Sequence, residues 1–331
     1  MSQLNPRQQE AMQYVSGPLL VLAGAGSGKT SVITRKIAYL IEECQMPAER
    51  ITAVTFTNKA AREMKARVQK LLPSDKTKGL TVSTFHQFGL QFLRYELLHT
   101  PLKGNFSIMD AEDSKRLLMD LMVRDNMSGA ESRELVGKAI KMISDWKNDL
   151  IPPEKAADTL TDPEDMLFAT LYQLYERNLR AYNAVDFDDL IVMPTRLLQE
   201  NSQVRDKWQN RIRYLLVDEY QDTNTAQYEL IKLLVGVQPR FTVVGDDDQS
   251  IYAWRGAKPE NMALLQEDFP KLKVVKLEQN YRSTSRILHA ANSVITNNEH
   301  LFEKKLWSPY PCIHKENCKQ HMFSLRQTKS I

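Results

Sequence analysis

The sequence predicts an α/β fold, in which a parallel sheet carries an inserted all-helical subdomain. Short apolar runs rich in β-branched residues recur along the chain, and helical patterns lie between most of them. The apolarity of these runs is continuous rather than alternating, which is typical of strands buried on both faces of a parallel sheet. In contrast, residues 86–196 contain no convincing buried strand.

Each element of this fold has its own segment of sequence. The predicted strands are residues 18–24, 51–57, 80–85, 214–219, 240–246 and 272–278. Residues 30–44 and 59–72 have helical periodicity and separate the first three strands, as expected for an open α/β sheet. Four further helical patterns follow the third strand, at residues 113–125, 133–150, 165–183 and 188–200. We therefore expect the helical subdomain between the third and fourth strands.

The composition is that of a soluble protein with two or more domains. The 331 residues are 42% hydrophobic and 26% charged. No run of 18 uncharged apolar residues occurs and the N-terminus is polar, so we expect neither a membrane span nor a signal peptide. Residues 1–310 contain one cysteine, Cys44, which favours a reducing cytoplasm.

The net charge of the chain is too small to attract nucleic acid to the protein as a whole. Lysine and arginine number 44 against 41 acidic residues, a formal charge of +3. Residues 311–331 alone carry four basic residues and one acidic residue, so the rest of the chain is neutral. Binding of nucleic acid would therefore depend on local basic and aromatic groups.

The stretch "VLAGAGSGKTSV", residues 21–32, has the pattern of a phosphate-binding loop with alanine in its first position. Glycines let backbone N–H groups turn towards an anion at the start of the following helix. Lys29 would reach the β- and γ-phosphates of a nucleotide, and the Thr30 hydroxyl would bind Mg²⁺. The alternative is a glycine-rich turn without a ligand. The predicted ATP-binding loop comprises Ala23, Gly24, Ala25, Gly26, Ser27, Gly28, Lys29 and Thr30.

The stretch "YLLVDEYQD" places two carboxylates after an apolar strand, where ligands bind in open α/β sheets. Asp218 is the candidate Mg²⁺ ligand. Glu219 is the candidate base that orients and deprotonates the attacking water. Without the phosphate loop, the same pair would equally suit a solvated turn.

The stretch "VVGDDDQSIYAWRGA" combines a polar turn with aromatic and basic residues. Gln249 is placed to sense a γ-phosphate. Tyr252, Trp254 and Arg255 suit base stacking and phosphate contact on a single strand. The alternative for Trp254 is a place in the hydrophobic core.

The order of these motifs along the chain resembles superfamily 1 DNA helicases of the Rep/UvrD/PcrA group. The resemblance runs from residue 1 to about 308. It rests on the segments "LNPRQQEA", "AGAGSGKT", "TFTNKAAREMKARV", "STFH", "DFDDLI", "LLVDEYQDTN", "VVGDDDQSIYAWRGA" and "LEQNYRS". It implies a P-loop NTPase of the RecA-like kind. ATP and Mg²⁺ are the implied cofactors. Single-stranded DNA and 3′-tailed duplex DNA are the implied partners, with replication proteins as possible further ones.

The resemblance also implies roles for individual residues. Gln8 would read the adenine, Tyr281 would stack on it, and Arg282 would reach the nucleotide from a second motor domain. Glu219, Gln249 and Arg282 are thus the candidate catalytic residues. The implied single-strand track consists of Phe56, Asn58, Lys59, Thr84, Phe85, His86, Phe187, Tyr252, Trp254 and Arg255. One departure is Ser31, where the family often has arginine on the adenine; Arg35, one turn along, is the candidate substitute.

The resemblance further implies a division into domains. Residues 1–85 and 197–275 would form the first motor, residues 86–196 the inserted subdomain, and residues 276–308 the start of a second motor. We expect a truncated second motor, by frameshift or early stop, followed by an unrelated, disordered tail over 309–331. Four residues of that tail could be zinc ligands, but their spacing matches no standard structural site. They are Cys312, His314, Cys318 and His321.

Three functions remain open from the sequence. The first is an ATP-dependent 3′-to-5′ DNA helicase of the Rep type in replication or repair, present here as a chain unable to unwind DNA alone. The second is an ATP-responsive single-stranded DNA-binding fragment without motor activity. The third is an inert product of a broken gene. DNA-stimulated ATP hydrolysis would favour the first function and DNA binding without turnover the second. Failure to fold cooperatively would favour the third.

Overall fold

Six strands form one parallel sheet in the computed structural model, which describes residues 4–124, 133–162, 165–253, 256–298 and 300–309. These six strands are β1 Leu19–Ala23, β2 Ile51–Thr55, β3 Thr81–Thr84, β6 Tyr214–Val217, β7 Phe241–Gly245 and β8 Lys273–Leu277; two short strands, β4 Ser107–Ile108 and β5 Ala184–Val185, pair separately. The order in the sheet is β3-β2-β6-β7-β1-β8, and every neighbouring pair is parallel. The prediction of a parallel α/β sheet is confirmed.

The helices alternate with these strands or fall between β3 and β6. They are α1 Pro6–Gln13, α2 Lys29–Glu42, α3 Asn58–Leu71, α4 Phe85–Tyr95, α5 Ala111–Arg124, α6 Arg133–Asn148, α7 Met166–Ala181, α8 Asp189–Glu200, α9 Ser202–Arg211, α10 Thr225–Val235, α11 Asn261–Asp268 and α12 Ser285–Ile295. Within the described ranges, none of these helices is both long and apolar enough to cross a membrane.

Helices cover both faces of the sheet, which explains why its strands are apolar at consecutive positions. On β1, Leu20 and Leu22 join a core formed with α4, α8, α9, α10 and α11. Leu19 and Val21 point the other way, into a core formed with α1, α2 and α3. All five residues of β1 are buried. Because successive side chains of a strand face opposite sides, a sheet covered on both faces needs apolar residues throughout.

The segment between β3 and β6 has a hydrophobic core of its own. Helices α5, α6 and α7 pack around Leu118, Ile143 and Phe168, and Trp146 stacks on Tyr172 with ring centroids 5.7 Å apart. The other helices of the segment, α4, α8 and α9, contribute instead to the core on one face of the sheet. The two short strands β4 and β5, which the sequence did not predict, pair in parallel beside these helices.

The edge strand β8 and the chain beyond it return to the phosphate loop. β8 pairs with β1 up to Leu277, two residues past the domain boundary predicted after residue 275. After α12 the chain runs back beside the residues that follow β8. The Trp307 N–H donates to the Glu278 carbonyl at 3.0 Å, and the Asn280 N–H donates to the Trp307 carbonyl at 2.8 Å. Residues 300–309 therefore lie against the carboxyl edge of the sheet.

Candidate nucleotide and nucleic-acid site

The carboxyl edge of the sheet gathers most of the residues that the sequence singled out. The phosphate loop follows β1, Asp218 and Glu219 follow β6, and Gln249 lies four residues after β7. Phe56 follows β2, and Phe85 begins the helix that follows β3. Because all six strands are parallel, these segments converge on one edge, which is where open α/β sheets bind ligands.

The phosphate loop is a tight turn between β1 and α2. Its Gly26 and Gly28 have φ values of +75° and +89°, a conformation that other residues adopt only with strain. The Ser27 N–H donates to the Gly24 carbonyl at 3.1 Å, which closes the turn. Lys29 is then the first residue of α2, so the loop ends at a helix N-terminus that favours anions.

Residues from both ends of the described chain support this loop. Gln8 donates from Nε2 to the Ser27 carbonyl at 2.8 Å, and the Tyr281 N–H donates to the Gly26 carbonyl at 2.9 Å. The side chain of Asn5 donates to the Tyr281 hydroxyl at 2.9 Å. Asn280 donates from Nδ2 to the Ala25 carbonyl. Gln8 and Tyr281, the two predicted adenine contacts, thus lie beside the loop.

Asn5 and Asn280 were not among the predicted site residues. Asn5 starts α1 with a capping box shared with Gln8, a signal visible in "LNPRQ". Asn280 is buried, and its Oδ1 accepts from the backbone N–H groups of Arg282 and Ser283. This turn places Arg282 against the loop, so that a side chain at Gly26 would meet the Arg282 Cβ.

Lys29 joins the three segments that carry the predicted phosphate chemistry. Its Nζ lies 2.8 Å from Glu219 Oε2 and 3.3 Å from Gln249 Oε1. Gln221 also donates to Glu219 Oε2, at 3.0 Å. Glu219 has a left-handed backbone with φ of +51°, an uncommon conformation for a residue other than glycine and one often found at functional turns.

The two neighbouring carboxylates have opposite pKa shifts. Burial raises the pKa of Asp218 to about 6, and the adjacent charge of Glu219 adds to this. Burial also acts to raise the pKa of Glu219, but the charge of Lys29 and hydrogen bonds from Gln221 and Lys29 outweigh it, so this pKa is lowered. At neutral pH, Glu219 is therefore a carboxylate that can accept a proton.

A divalent cation would suit the region around Asp218. The carboxylate is 5% exposed, and its Oδ1 accepts the Glu219 N–H at 3.1 Å. A cation there would offset the cost of burying this charge beside Glu219. Thr30, the second residue of α2, offers a hydroxyl oxygen, and Mg²⁺ prefers oxygen ligands. The donor set thus fits the metal predicted from the sequence.

Several predicted DNA contacts surround a cavity of about 680 Å³ at the same edge. Phe56, His86 and Tyr252 line it, and so do Glu219 and Gln249. The cavity therefore connects an aromatic surface to the carboxylate and amide beside Lys29. Burial lowers the pKa of His86, which favours its neutral form.

The remaining predicted DNA contacts differ in their access to solvent. Phe85 is 2% exposed and lies under Phe56, with ring centroids 5.4 Å apart, so it supports Phe56 from the core. Thr84 is buried and caps α4 by accepting the Gln87 N–H. Phe187 is exposed and meets the edge of His86. Asn58 and Lys59 are exposed at the start of α3.

Some sequence-based assignments lie outside the described residues. These are Trp254 and Arg255 in the predicted track, and Cys312, His314, Cys318 and His321 in the considered zinc site. Their roles remain predictions from the sequence.

A parallel sheet whose first strand leads through a glycine-rich loop into a helix beginning Lys29-Thr30 defines the P-loop NTPase fold. The comparison with protein families is more specific. The model described as "UvrD/REP helicase N-terminal domain" matches residues 4–270, and the chain belongs to this family.

Curated relatives agree with this family. The chain is 58% identical over 308 residues to the ATP-dependent DNA helicase Rep of Escherichia coli (strain K12), covering 92% of this chain and 45% of that protein. It is 44% identical over 310 residues to the ATP-dependent DNA helicase PcrA of Staphylococcus aureus (strain Mu50), covering 93% of this chain and 42% of that protein. The chain spans about half the length of the curated relatives it matches.

Proposed function

We propose that this chain contains the nucleotide-binding motor of an ATP-dependent DNA helicase that moves 3′ to 5′ on single-stranded DNA in replication or repair. The observation that carries the proposal is the position of Lys29. One ammonium group contacts Glu219 and Gln249 while it stands at the end of the phosphate loop. The groups proposed to bind phosphate, to polarise water and to sense the terminal phosphate are thus in mutual contact.

In this proposal the phosphate loop and the N-terminus of α2 hold the phosphates of ATP, and Lys29 neutralises them. Asp218 and Thr30 would hold Mg²⁺, which neutralises charge on the phosphates when it is bound. Glu219, which its lowered pKa keeps ionised at neutral pH, orients the attacking water and accepts its proton. Gln8 and Tyr281 are the proposed adenine contacts, and Arg282 approaches the phosphates from the segment after β8.

The proposed DNA track follows the aromatic side of the cavity. Phe56, His86, Phe187 and Tyr252 would offer ring faces and edges to bases, and Lys59 would meet the backbone. Trp254 and Arg255 extend this track by resemblance. Because Glu219 and Gln249 line the same cavity, a bound strand would lie next to the catalytic groups, which supports coupling between DNA binding and ATP hydrolysis.

The sequence predicted a first motor over 1–85 and 197–275, an insertion over 86–196 and the start of a second motor over 276–308. We propose two changes to these bounds. The first motor extends to residue 277, because β8 pairs with β1 up to Leu277. It also includes α4 and α8, because they contribute to the core on the sheet, whereas α5–α7 form the core of the insertion. The cytoplasm is the proposed location, and 3′-tailed duplex DNA is the proposed substrate.

ATP hydrolysis with and without single-stranded DNA tests the proposal. The purified 331-residue chain is expected to hydrolyse ATP slowly, faster with an oligonucleotide, and not at all as Glu219→Gln. Glu154→Gln, an exposed acid on the helical insertion, is the matched control and should behave as wild type. Binding of oligonucleotide without turnover would instead support the ATP-responsive binding module. A folded chain that binds neither ligand would contradict both.

A further inference from the structure

Lys304 lies almost buried among three consecutive aspartates at the carboxyl edge of the sheet. Its side chain is 5% exposed, and its Nζ lies 2.5 Å from Asp246 Oδ1 and 2.9 Å from Asp248 Oδ2. The same ammonium contacts Asp247, and His300 pairs with Asp248 at 3.0 Å. The charge of Lys304 thus offsets part of the negative charge of this acidic cluster. Lys304 lies outside residues 4–270, the span that matches the family, and no sequence motif pointed to it.

The cluster is linked directly to the site beside the phosphate loop. Asp246 binds Lys304 through Oδ1, while its Oδ2 accepts a hydrogen bond from Gln249 Nε2. The other end of the same amide, Gln249 Oε1, faces Lys29 Nζ at 3.3 Å. A continuous chain of polar contacts therefore runs from Lys304 through Asp246 and Gln249 to Lys29.

The charge of Asp246 decides which way the Gln249 amide points. An amide group presents either its oxygen or its NH₂ to a neighbour, and a carboxylate can only accept. The Asp246 carboxylate therefore binds the NH₂ group and leaves the oxygen of Gln249 facing Lys29. Asp246 is 2% exposed, and a positive partner such as Lys304 offsets the cost of burying a carboxylate.

We propose that Lys304 is a positioning residue for the terminal-phosphate sensor: its ion pair holds Asp246 in place, and Asp246 orients Gln249 towards Lys29. The proposal rests on the proposed nucleotide site. It also implies that the segment 300–309 is coupled to the nucleotide, because whatever moves that segment removes Lys304 from Asp246. The part of the substrate that these contacts would recognise is the γ-phosphate, which distinguishes a nucleoside triphosphate from a diphosphate.

The test compares the affinity for a non-hydrolysable ATP analogue with the affinity for ADP, both with Mg²⁺, in the full 331-residue chain. Wild type should prefer the triphosphate. Lys304→Ala and Gln249→Ala should each reduce this preference by about tenfold, with little change in ADP affinity. The double variant should lose no more of the triphosphate preference than either single variant, because both residues act through the same series of contacts. Lys304→Arg, which keeps the charge, should recover part of the preference.

Lys305→Ala is the matched control, since Lys305 is adjacent and exposed, and it should keep the wild-type preference. If Lys304→Ala fails to fold, the neutral Lys304→Gln carries the same expectation. A wild-type preference in a folded Lys304→Ala or Lys304→Gln chain, or additive losses in the double variant, would overturn the inference and leave the proposed function intact. A wild-type chain that binds neither nucleotide would contradict the proposed function and the inference together.

Discussion

Replacement of Asp218 by asparagine is expected to stabilise the fold at neutral pH while it removes the proposed Mg²⁺ ligand. Asp218 is buried at the end of β6, beside the carboxylate of Glu219. Asparagine has nearly the same shape and keeps an oxygen that can accept the Glu219 N–H. The substitution therefore removes a charge that the fold does not favour, and preserves the local hydrogen bond.

The size of this effect follows from the pKa of Asp218, which burial raises from an ordinary 3.8 to about 6. Well below pH 4 the carboxyl group is protonated in both the folded and the unfolded chain, so it contributes no difference in stability. Between pH 4 and 6 the unfolded chain releases this proton first, and the stability of the wild type falls as pH rises. Above pH 6 the cost is constant at about 3 kcal/mol, and at pH 5 it is about half of that.

Urea unfolding of wild type and Asp218→Asn in the presence of a chelator, between pH 5 and 7.5, measures this cost. The variant should gain about 1.5 kcal/mol relative to wild type as pH rises across this range. Asp206→Asn, an exposed aspartate on α9, should show no such gain. A free-energy difference between Asp218→Asn and wild type that is independent of pH, or that falls as pH rises, would refute the buried, charged state assigned to Asp218.

Three further expectations concern the helical insertion, the DNA track and unwinding. Lys147→Met should destabilise the chain by about 3–5 kcal/mol in urea unfolding. The substitution leaves the carboxylates of Glu176, Asp186 and Asp189 without their shared buried cation. Lys141→Met, at an exposed lysine, should cause no such loss of stability. Tyr252→Ala should weaken oligonucleotide binding by about 1–3 kcal/mol and leave ATP binding unchanged. Tyr182→Ala, at an exposed tyrosine on the insertion, should change neither affinity. If wild type and Tyr252→Ala bind the oligonucleotide equally well, Tyr252 is not part of the track. The 331-residue chain alone should not displace a strand from a 3′-tailed duplex, because an arginine finger acting across two motors typically contributes about 10³–10⁵ to turnover. Robust displacement that disappears in Glu219→Gln would contradict this last expectation.

The strands and the phosphate loop could be predicted because their signals are local. Each strand of the sheet is a short apolar run bounded by polar residues, and Lys29 belongs to a motif of eight consecutive positions. Helical periodicity likewise located α5, α6, α7 and α8, but α4 lies outside the predicted helices. It could not show that α8 joins the core on the sheet rather than the core of α5–α7, since an apolar face does not identify its partner.

The contacts that complete the site join residues far apart in the sequence. Asn5 reaches Tyr281, and Lys304 reaches Asp246, through turns whose geometry no local pattern defines. The sequence likewise did not reveal that Phe85 is buried. The resemblance places Phe85 on a motif that lines the single-strand track, and in the structure its side chain lies beneath Phe56.

The most direct test of the central claim is a calorimetric titration of Mg²⁺–ATP into the 331-residue chain and its Lys29→Ala variant. Lys29 should contribute a charge-assisted phosphate contact of about 1.5–3 kcal/mol, so the variant should bind ATP roughly 10- to 150-fold more weakly. Lys65→Ala, an exposed lysine on α3, should bind as wild type does. Equal ATP affinities for wild type and a folded Lys29→Ala chain would contradict the nucleotide site at the carboxyl edge of the sheet.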